Sequence, residues 1–332
     1  MKSENKRILV TGGVGMIGSN LTKTLIREGH DVFVVDNLWR GKIEYLNDEN
    51  GKPVIDISKK FHNLDLRDYE ACLQVTKNID VVYHLADIVA GINFVFDNEL
   101  FVWRINTLIN SNILSASMEN GVQKYIYVGT ACSYPKEKQS EVNLPPLKED
   151  EAYPANPESS YGWSKLMGEY EAELAQKSGE IQVGILRLHN VYGSPCELDP
   201  SKSQVIPALC RKAILSPEEK FIVWGSGKQR RAFVYIDDVV DSLLRVRDRG
   251  MNKGVIQIGP SESISIGDIA KKIVSISGKD IEIEFDLSKN EGDVDRCADW
   301  SKAKKVLDWK PKTDIDYGLS KTYSWCLHNL KS

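Results

Sequence analysis

The chain has 332 residues, 42% apolar and 27% charged, with 24 Gly and 12 Pro, which excludes collagen-like, low-complexity and disordered chains and leaves room for one or two domains. Lys plus Arg number 43 against 47 Asp plus Glu, a net charge of -4, so no basic field gathers phosphate backbones and nucleic acid is not an expected partner. The start, MKSENKRILVTGG, lacks a signal peptide's apolar core, no later stretch is long and apolar enough to span a membrane, and the six cysteines contain no CxxC; a cytoplasmic protein with no membrane contact and no metal site is expected.

From the N-terminus, short Val/Ile-rich runs alternate with helical patterns, the order of parallel strands joined by crossover helices. Strands are predicted at Arg7–Thr11, Asp31–Asp36, Lys60–Asp65, Val81–Leu85 and Lys124–Thr130, with helices at about Gly15–Glu28, Asp68–Lys77 and Asn98–Asn120. A helix at Ser160–Lys177 follows the turn-rich YPANPESS, and a strand follows at Gln182–Leu188. Residues 1–190 therefore read as α/β, a doubly wound parallel sheet. After VYGSPCELDPSKS the rhythm breaks into a helix from Ser203, strands near Phe221–Trp224 and Ala232–Tyr235, and helices near Asp237–Arg247 and Ile266–Ser277. Residues 191–332 are read mainly as a smaller mixed α/β lobe over the sheet's C-terminal edge, where open α/β sheets bind ligands, with room for some segments to return to the sheet.

RILVTGGVGMIGSNL puts Gly12, Gly15 and Gly18 between the first strand and the first helix. Glycines there permit a tight turn and close approach of backbone to a pyrophosphate, and the helix N-terminus offers free N–H groups. Asp36 ends the second strand about 20 residues on, the spacing of a dinucleotide fingerprint. A carboxylate there accepts ribose hydroxyls and repels a 2′-phosphate, which favours NAD over NADP. Arg40 and Lys42 follow closely and read as a solvated loop.

YxxxK sets Tyr and Lys one helical turn apart, and it occurs three times, at Tyr134/Lys138, Tyr161/Lys165 and Tyr317/Lys321. Only Tyr161/Lys165 opens a long helix downstream of a strand ending in a hydroxyl residue, Thr130, at the ligand-binding edge. An ammonium beside a phenol favours the phenolate, so Tyr161 is the candidate general base, with Thr130 bonding the same substrate oxygen.

TGGVGMIGS, Asp36, Asp65 in NLDLRD, HLAD at positions 84–87, Thr130, YGWSK and RLHNVYG together resemble the extended short-chain dehydrogenase/reductase family of sugar-nucleotide-modifying enzymes, over nearly the whole chain. VGTACSYP, SKSQVIPALCRKA, WGSGKQRRAF and YIDDV are most similar to its GDP-mannose 3,5-epimerases and GDP-fucose synthases. The resemblance implies a Rossmann domain binding NAD through Gly12, Gly15, Met16, Ile17, Gly18, Asp36, Asn37, Asp65, Leu66, Leu85, Ala86, Tyr161, Lys165 and Leu188. It implies a nucleotide-diphosphate sugar held by Gly91, Asn190, Gln204, Val205, Trp224, Arg231 and Arg296. It also implies a homodimer through the helices Asn98–Asn120 and Ser160–Lys177, and a catalytic set of Thr130, Tyr161, Lys165 and Cys132. Independently, Arg231 and Arg296 are planar cationic forks suited to a diphosphate, and Trp224 suits stacking on a base.

Two departures bear on the reaction. The family's dehydratases carry Asp–Glu directly after the catalytic Thr, where this chain has Ala131 and Cys132; Cys132 matches instead the thiol base of the 3,5-epimerases. Where those enzymes place a Lys or His acid, this chain has Gln204, an amide that neither donates nor accepts a proton at ordinary pH. HLAD also puts a carboxylate, Asp87, where the family's HLAA has alanine, and the sequence offers no account of it. An epimerase acting through a 4-keto intermediate is expected, with GDP-hexose the favoured substrate; a net 4-dehydrogenase or 4-ketoreductase and a non-catalytic dinucleotide sensor are the alternatives.

Overall fold

The computed structural model of the chain describes residues 5–289 and 291–331, and the polar start at residues 1–4 lies outside them. The first half alternates as expected: β1 (Arg7–Thr11), α1 (Met16–Arg27), β2 (Asp31–Val35), α2 (Ile57–Lys60), β3 (Phe61–His62), α3 (Tyr69–Thr76), β4 (Val81–His84), α4 (Ile92–Asp97), α5 (Glu99–Glu119), β5 (Lys124–Thr130), α6 (Ser160–Ser178) and β6 (Gln182–Leu188). The second half runs β7 (Asn190–Tyr192), α7 (Val205–Leu215), β8 (Ile222–Trp224), β9 (Arg230–Arg231), β10 (Phe233–Tyr235), α8 (Ile236–Arg245), β11 (Val255–Ile258), β12 (Ile264–Ser265), α9 (Ile266–Ser277), β13 (Glu284–Asp286), α10 (Ser301–Leu307) and α11 (Ile315–Lys331).

Among the described residues the main sheet has seven strands in the order β11-β6-β5-β4-β1-β2-β3, each pair parallel. Strand side chains alternate between faces, so Ile8 and Val10 enter one core while Leu9 enters the other. Ile8, Leu9, Val10 and Thr11 are all fully buried, as a parallel sheet covered by helices on both faces requires.

The predicted strand Lys60–Asp65 shrinks to two residues. Asp56 accepts the Ser58 backbone N–H at 3.1 Å and caps the single turn α2, which takes Lys60 out of the strand, and the chain leaves the sheet after His62 so that Leu64 and Asp65 reach the cavity at its edge. Sequence reasoning did not single out β11, which returns from the second half to pair with β6 over Val255↔Ile185 to Ile258↔Leu188.

Helix ends fall where capping chemistry sets them. Asp68 accepts the Glu70 N–H at the start of α3, and Ser159 accepts the Gly162 N–H at 3.2 Å to open α6, which ends in left-handed Gly179. Beneath α6, Glu169 and Arg187 form a buried bidentate pair at 2.6 and 3.1 Å, and Arg187 also lies over the Tyr134 ring at 4.6 Å. That pair ties the helix bearing Tyr161 to β6.

Candidate active site

A cavity of about 540 Å³ opens at the C-terminal edge of the sheet, walled by the β1–α1 loop, the ends of β4 and β5, the first turn of α6 and the smaller lobe. All the residues singled out from the sequence for cofactor, substrate and catalysis line it, together with Asp87 and Arg40.

At the cofactor end the turn after β1 is tight enough to demand glycine. Gly12 sits at φ +63, and a Cβ on Gly18 would lie 2.3 Å from the Gly12 carbonyl oxygen. Gly15 precedes α1 with no side-chain cap, which leaves the N–H groups of the helix's first turn free where Met16, Ile17 and Gly18 line the cavity, the arrangement that receives a pyrophosphate. Asp36 accepts the Leu38 N–H at 2.8 Å and the Val14 N–H at 3.3 Å; burial raises its pKa, and those two N–H groups pull it back. Asp65 is held by Arg67 at 2.7 and 3.0 Å, and Asn37 reaches it at 3.4 Å, so its side chain is already paired at the mouth of the site. The residues present fit a dinucleotide.

The loop after β4 is pinned from both sides. Thr11 Oγ1 accepts the Leu85 and Ala86 N–H groups at 3.1 Å and contacts His84 Nδ1 at 2.8 Å, while His84 Nε2 meets Asn110 Oδ1 at 2.9 Å. A neutral His84 protonated on Nε2 satisfies both contacts, and burial, reinforced by Lys165, holds its pKa down at about 3. From α5, Asn106 accepts the Ile88 N–H at 2.7 Å and donates to the Ile88 carbonyl at 3.2 Å.

Tyr161 and Lys165 meet at that loop. The Tyr161 hydroxyl donates to Asp87 Oδ2 at 3.3 Å, and Lys165 Nζ lies 3.2 Å from the same oxygen and 4.9 Å from the Tyr127 ring centre. Burial, with Asp87 and Cys132 adding to it, pushes the Tyr161 phenol well above its ordinary range, while the Thr130 hydroxyl works in the opposite sense. The other two YxxxK pairs lie elsewhere: Tyr134 is buried and donates to Gln257 at 2.8 Å, and Tyr317 stands exposed on α11 with Lys321 over its ring.

Arg40 is corrected by the structure. It is half-buried rather than solvated, lines the cavity and donates to the Val89 carbonyl at 3.0 Å, because the loop after β2 folds back over the β4 loop; Lys42 stays exposed.

On the substrate side, Arg296 Nη2 approaches Cys132 Sγ at 3.6 Å and Asn190 Oδ1 at 3.4 Å, and Nη1 binds Gln139 and Asp293 at 2.8 and 2.9 Å. Its Nε is buried and has no partner among the described residues. Arg231, also buried, donates to the Arg230 and Asp293 carbonyls, and burial with the like charge of Arg296 pushes its pKa down to about 10. Two buried guanidiniums, the charge of one disfavouring that of the other and Arg296 with an idle donor, suit an anion between them. Trp224 is 41% exposed beside Lys212, and Gln204 sits at the start of α7 without capping it.

A sequence profile described as the NAD dependent epimerase/dehydratase family matches residues 8–259. A GDP-mannose 3,5-epimerase of Arabidopsis thaliana is 34% identical over 97% of this chain and 82% of its own length. A UDP-N-acetyl-alpha-D-glucosaminuronate decarboxylase of Bacillus cytotoxicus is 30% identical over 96% of this chain and 97% of its own. Among solved structures, a UDP-glucose 4-epimerase of Thermotoga maritima with UDP-glucose superposes with a TM-score of 0.85 at 29% identity, covering 98% of this chain and 99% of that one. With the glycine turn, the carboxylate after β2 and the Tyr–Lys pair in one cavity, the chain belongs to the NAD-dependent epimerase/dehydratase family of short-chain dehydrogenase/reductase-type enzymes that act on sugar nucleotides.

Proposed function

We propose that this protein is an epimerase of a nucleotide-diphosphate sugar, working through a transient 4-keto intermediate, with a GDP-hexose as first substrate and a UDP-hexose as second. The observation that carries the reading is the meeting of Thr130, Tyr161, Lys165 and Cys132 in one cavity between the glycine turn and the paired Arg231 and Arg296. NAD, when bound, takes up a hydride from the sugar and returns it, so turnover leaves no net redox change. Gly12, Gly15 and Gly18 with the start of α1 receive its pyrophosphate, and Asp36 its adenine ribose. Tyr161 moves the proton of the sugar hydroxyl at carbon 4, and Thr130 orients that oxygen. Arg231 and Arg296 hold the diphosphate and Trp224 stacks on the base. A 4-keto group acidifies the hydrogens on carbons 3 and 5, and Cys132 is the base that reaches them; Arg296, 3.6 Å from its sulfur, meets negative charge developing there.

Gln204 supports a second reading, in which no proton is returned on the opposite face and Tyr161 alone works at carbon 4. Incubation with GDP- and UDP-hexoses in deuterated water, followed by NMR, separates the two. Deuterium at carbon 3 or 5 that Cys132→Ser abolishes supports carbon-acid chemistry; inversion at carbon 4 without deuterium supports the second reading. Steady accumulation of NADH absorbance would instead establish a net dehydrogenase. The relatives' names leave both nucleotides open, and GDP rests on the 34% identical epimerase.

We further read the protein as a cytoplasmic homodimer. Leu100, Phe101 and Leu108 on α5 and Tyr170 and Leu174 on α6 are exposed on two helices that pack together, an apolar face suited to a second copy. All six cysteines are free thiols, in keeping with a reducing compartment.

A further inference from the structure

We propose that Asp87 is a positioning residue for proton transfer at Tyr161, the end of a two-step relay in which the phenol receives the sugar proton as it hands its own to Asp87. The inference rests on the reading of Tyr161 as the proton-transfer group. Its basis is geometric: one oxygen, Asp87 Oδ2, is both the acceptor of the Tyr161 hydroxyl at 3.3 Å and the partner of Lys165 at 3.2 Å. The Lys165 side chain is 2% exposed and the Asp87 side chain 12%, so neither charge is left to solvent.

Asp87 is also held rigidly. The N–H before it, from Ala86, is bound by Thr11, and the peptide after it is clamped by Asn106 through both Ile88 groups. Two residues on, Arg40 binds the Val89 carbonyl. A carboxylate fixed on both flanks returns to the same point against α6 in every turnover, as a relay needs.

The charge arrangement differs from a simple Tyr–Lys pair. There, an unpaired ammonium lowers the phenol's proton affinity and makes a phenolate base. Here the ammonium faces a carboxylate that itself accepts the phenol's hydrogen bond, so the phenol is kept as O–H. The groups around this carboxylate and phenol are Lys165 on α6, Arg40 from the loop after β2, His84 on β4, and Tyr127 and Cys132 on and after β5.

The protons balance as follows. In the oxidising half, the hydroxyl proton at carbon 4 passes to Tyr161 Oη and the phenol's proton passes to Asp87 Oδ2. The hydride leaving carbon 4 would go to the bound NAD. In the reducing half, Asp87 returns its proton to the phenol and the phenol protonates the alkoxide.

Asp87→Asn keeps the shape and removes the proton acceptor, and Asp87→Ala gives the residue of the HLAA pattern. Tyr161 is first titrated without cofactor or substrate, as the phenolate absorbance that disappears in the matching Tyr161→Phe background. Both Asp87 variants are expected to bind the Tyr161 proton at least about tenfold more weakly than the parent protein. In turnover, Asp87→Asn leaves only the Tyr–Lys pair to move the proton and is expected to lower kcat by about tenfold or more with little change in KM. The acidic limb of its kcat/KM profile should move, and Asp87→Glu should restore part of the rate. An unchanged phenol titration in the Ala variant, or an Asn variant with the parent's rate and acidic limb, overturns the proposal. Failure of the epimerase reading is a different result, with no turnover of any nucleotide sugar by the parent protein while the phenol titration still responds to Asp87.

Discussion

Tyr161 reaches Asp87 through a single hydroxyl, so removing that oxygen tests the site with the ring still packed. Tyr161→Phe is expected to lower kcat by about 10²–10⁴-fold while calorimetry finds NAD bound as before. Asp36, fixed by the Val14 and Leu38 N–H groups, should make NAD bind at least about tenfold more tightly than NADP, ~1.4 kcal/mol; equal affinities would contradict the ribose-binding role proposed for it. Tyr161 was separable from Tyr134 and Tyr317 in the sequence because its helix follows a strand ending in Thr130. Asp87 and Arg40 were not legible in the same way. The sequence does not state that the β4 loop and the β2 loop fold onto each other against α6, and a contact between residues 74 positions apart leaves no periodic trace.

At the scale of elements, α5 and α6 carry both the site and the proposed dimer face. Light scattering at micromolar concentration should give the mass of two chains, and Leu108→Glu combined with Leu174→Glu should give one, because charge on that face opposes association. These helices, like β1, β5 and β6, were readable from long runs, and for α6 the Ser159 cap and left-handed Gly179 agree with the boundaries of the pattern. β3 was overestimated because Asp56 nucleates a turn inside an apolar-looking run. β11 was missed because VIQI is only four residues long and buried throughout, so it has no alternation to distinguish it from the small lobe around it.

For the molecule as a whole, two buried histidines set an acid limit on stability. His84 and His189 are held neutral by burial, each with its pKa pushed down to about 3. In the unfolded chain a histidine takes up a proton near pH 6.5. Each therefore contributes stability that is present above about pH 6.5 and is lost as pH falls from there towards about 3, at up to about 1.4 kcal/mol per pH unit. Urea midpoints should fall between about pH 7 and pH 5, with up to about 4 kcal/mol lost if both histidines act. A midpoint constant over that range would mean that both rings take up protons in the folded protein as readily as in the unfolded chain.

β6 also has a history during synthesis. Its outer neighbour, β11, lies beyond the small lobe's first strands and helices, so a chain emerging N-terminus first presents β6 as a bare row of N–H and C=O groups until residue 258 has been made. Pairing across that separation raises contact order and slows closure of the sheet. A fragment of residues 1–190 keeps the glycine turn, Tyr161 and Lys165 but never acquires that neighbour. It should precipitate or pair edge to edge on expression, whereas a fragment extended past Ile258 should stay dispersed, with sedimentation as the measure. On this view nucleotide binding is not a module to be cut free at residue 190, since the strand sealing its sheet is made only after the small lobe's first strands and helices.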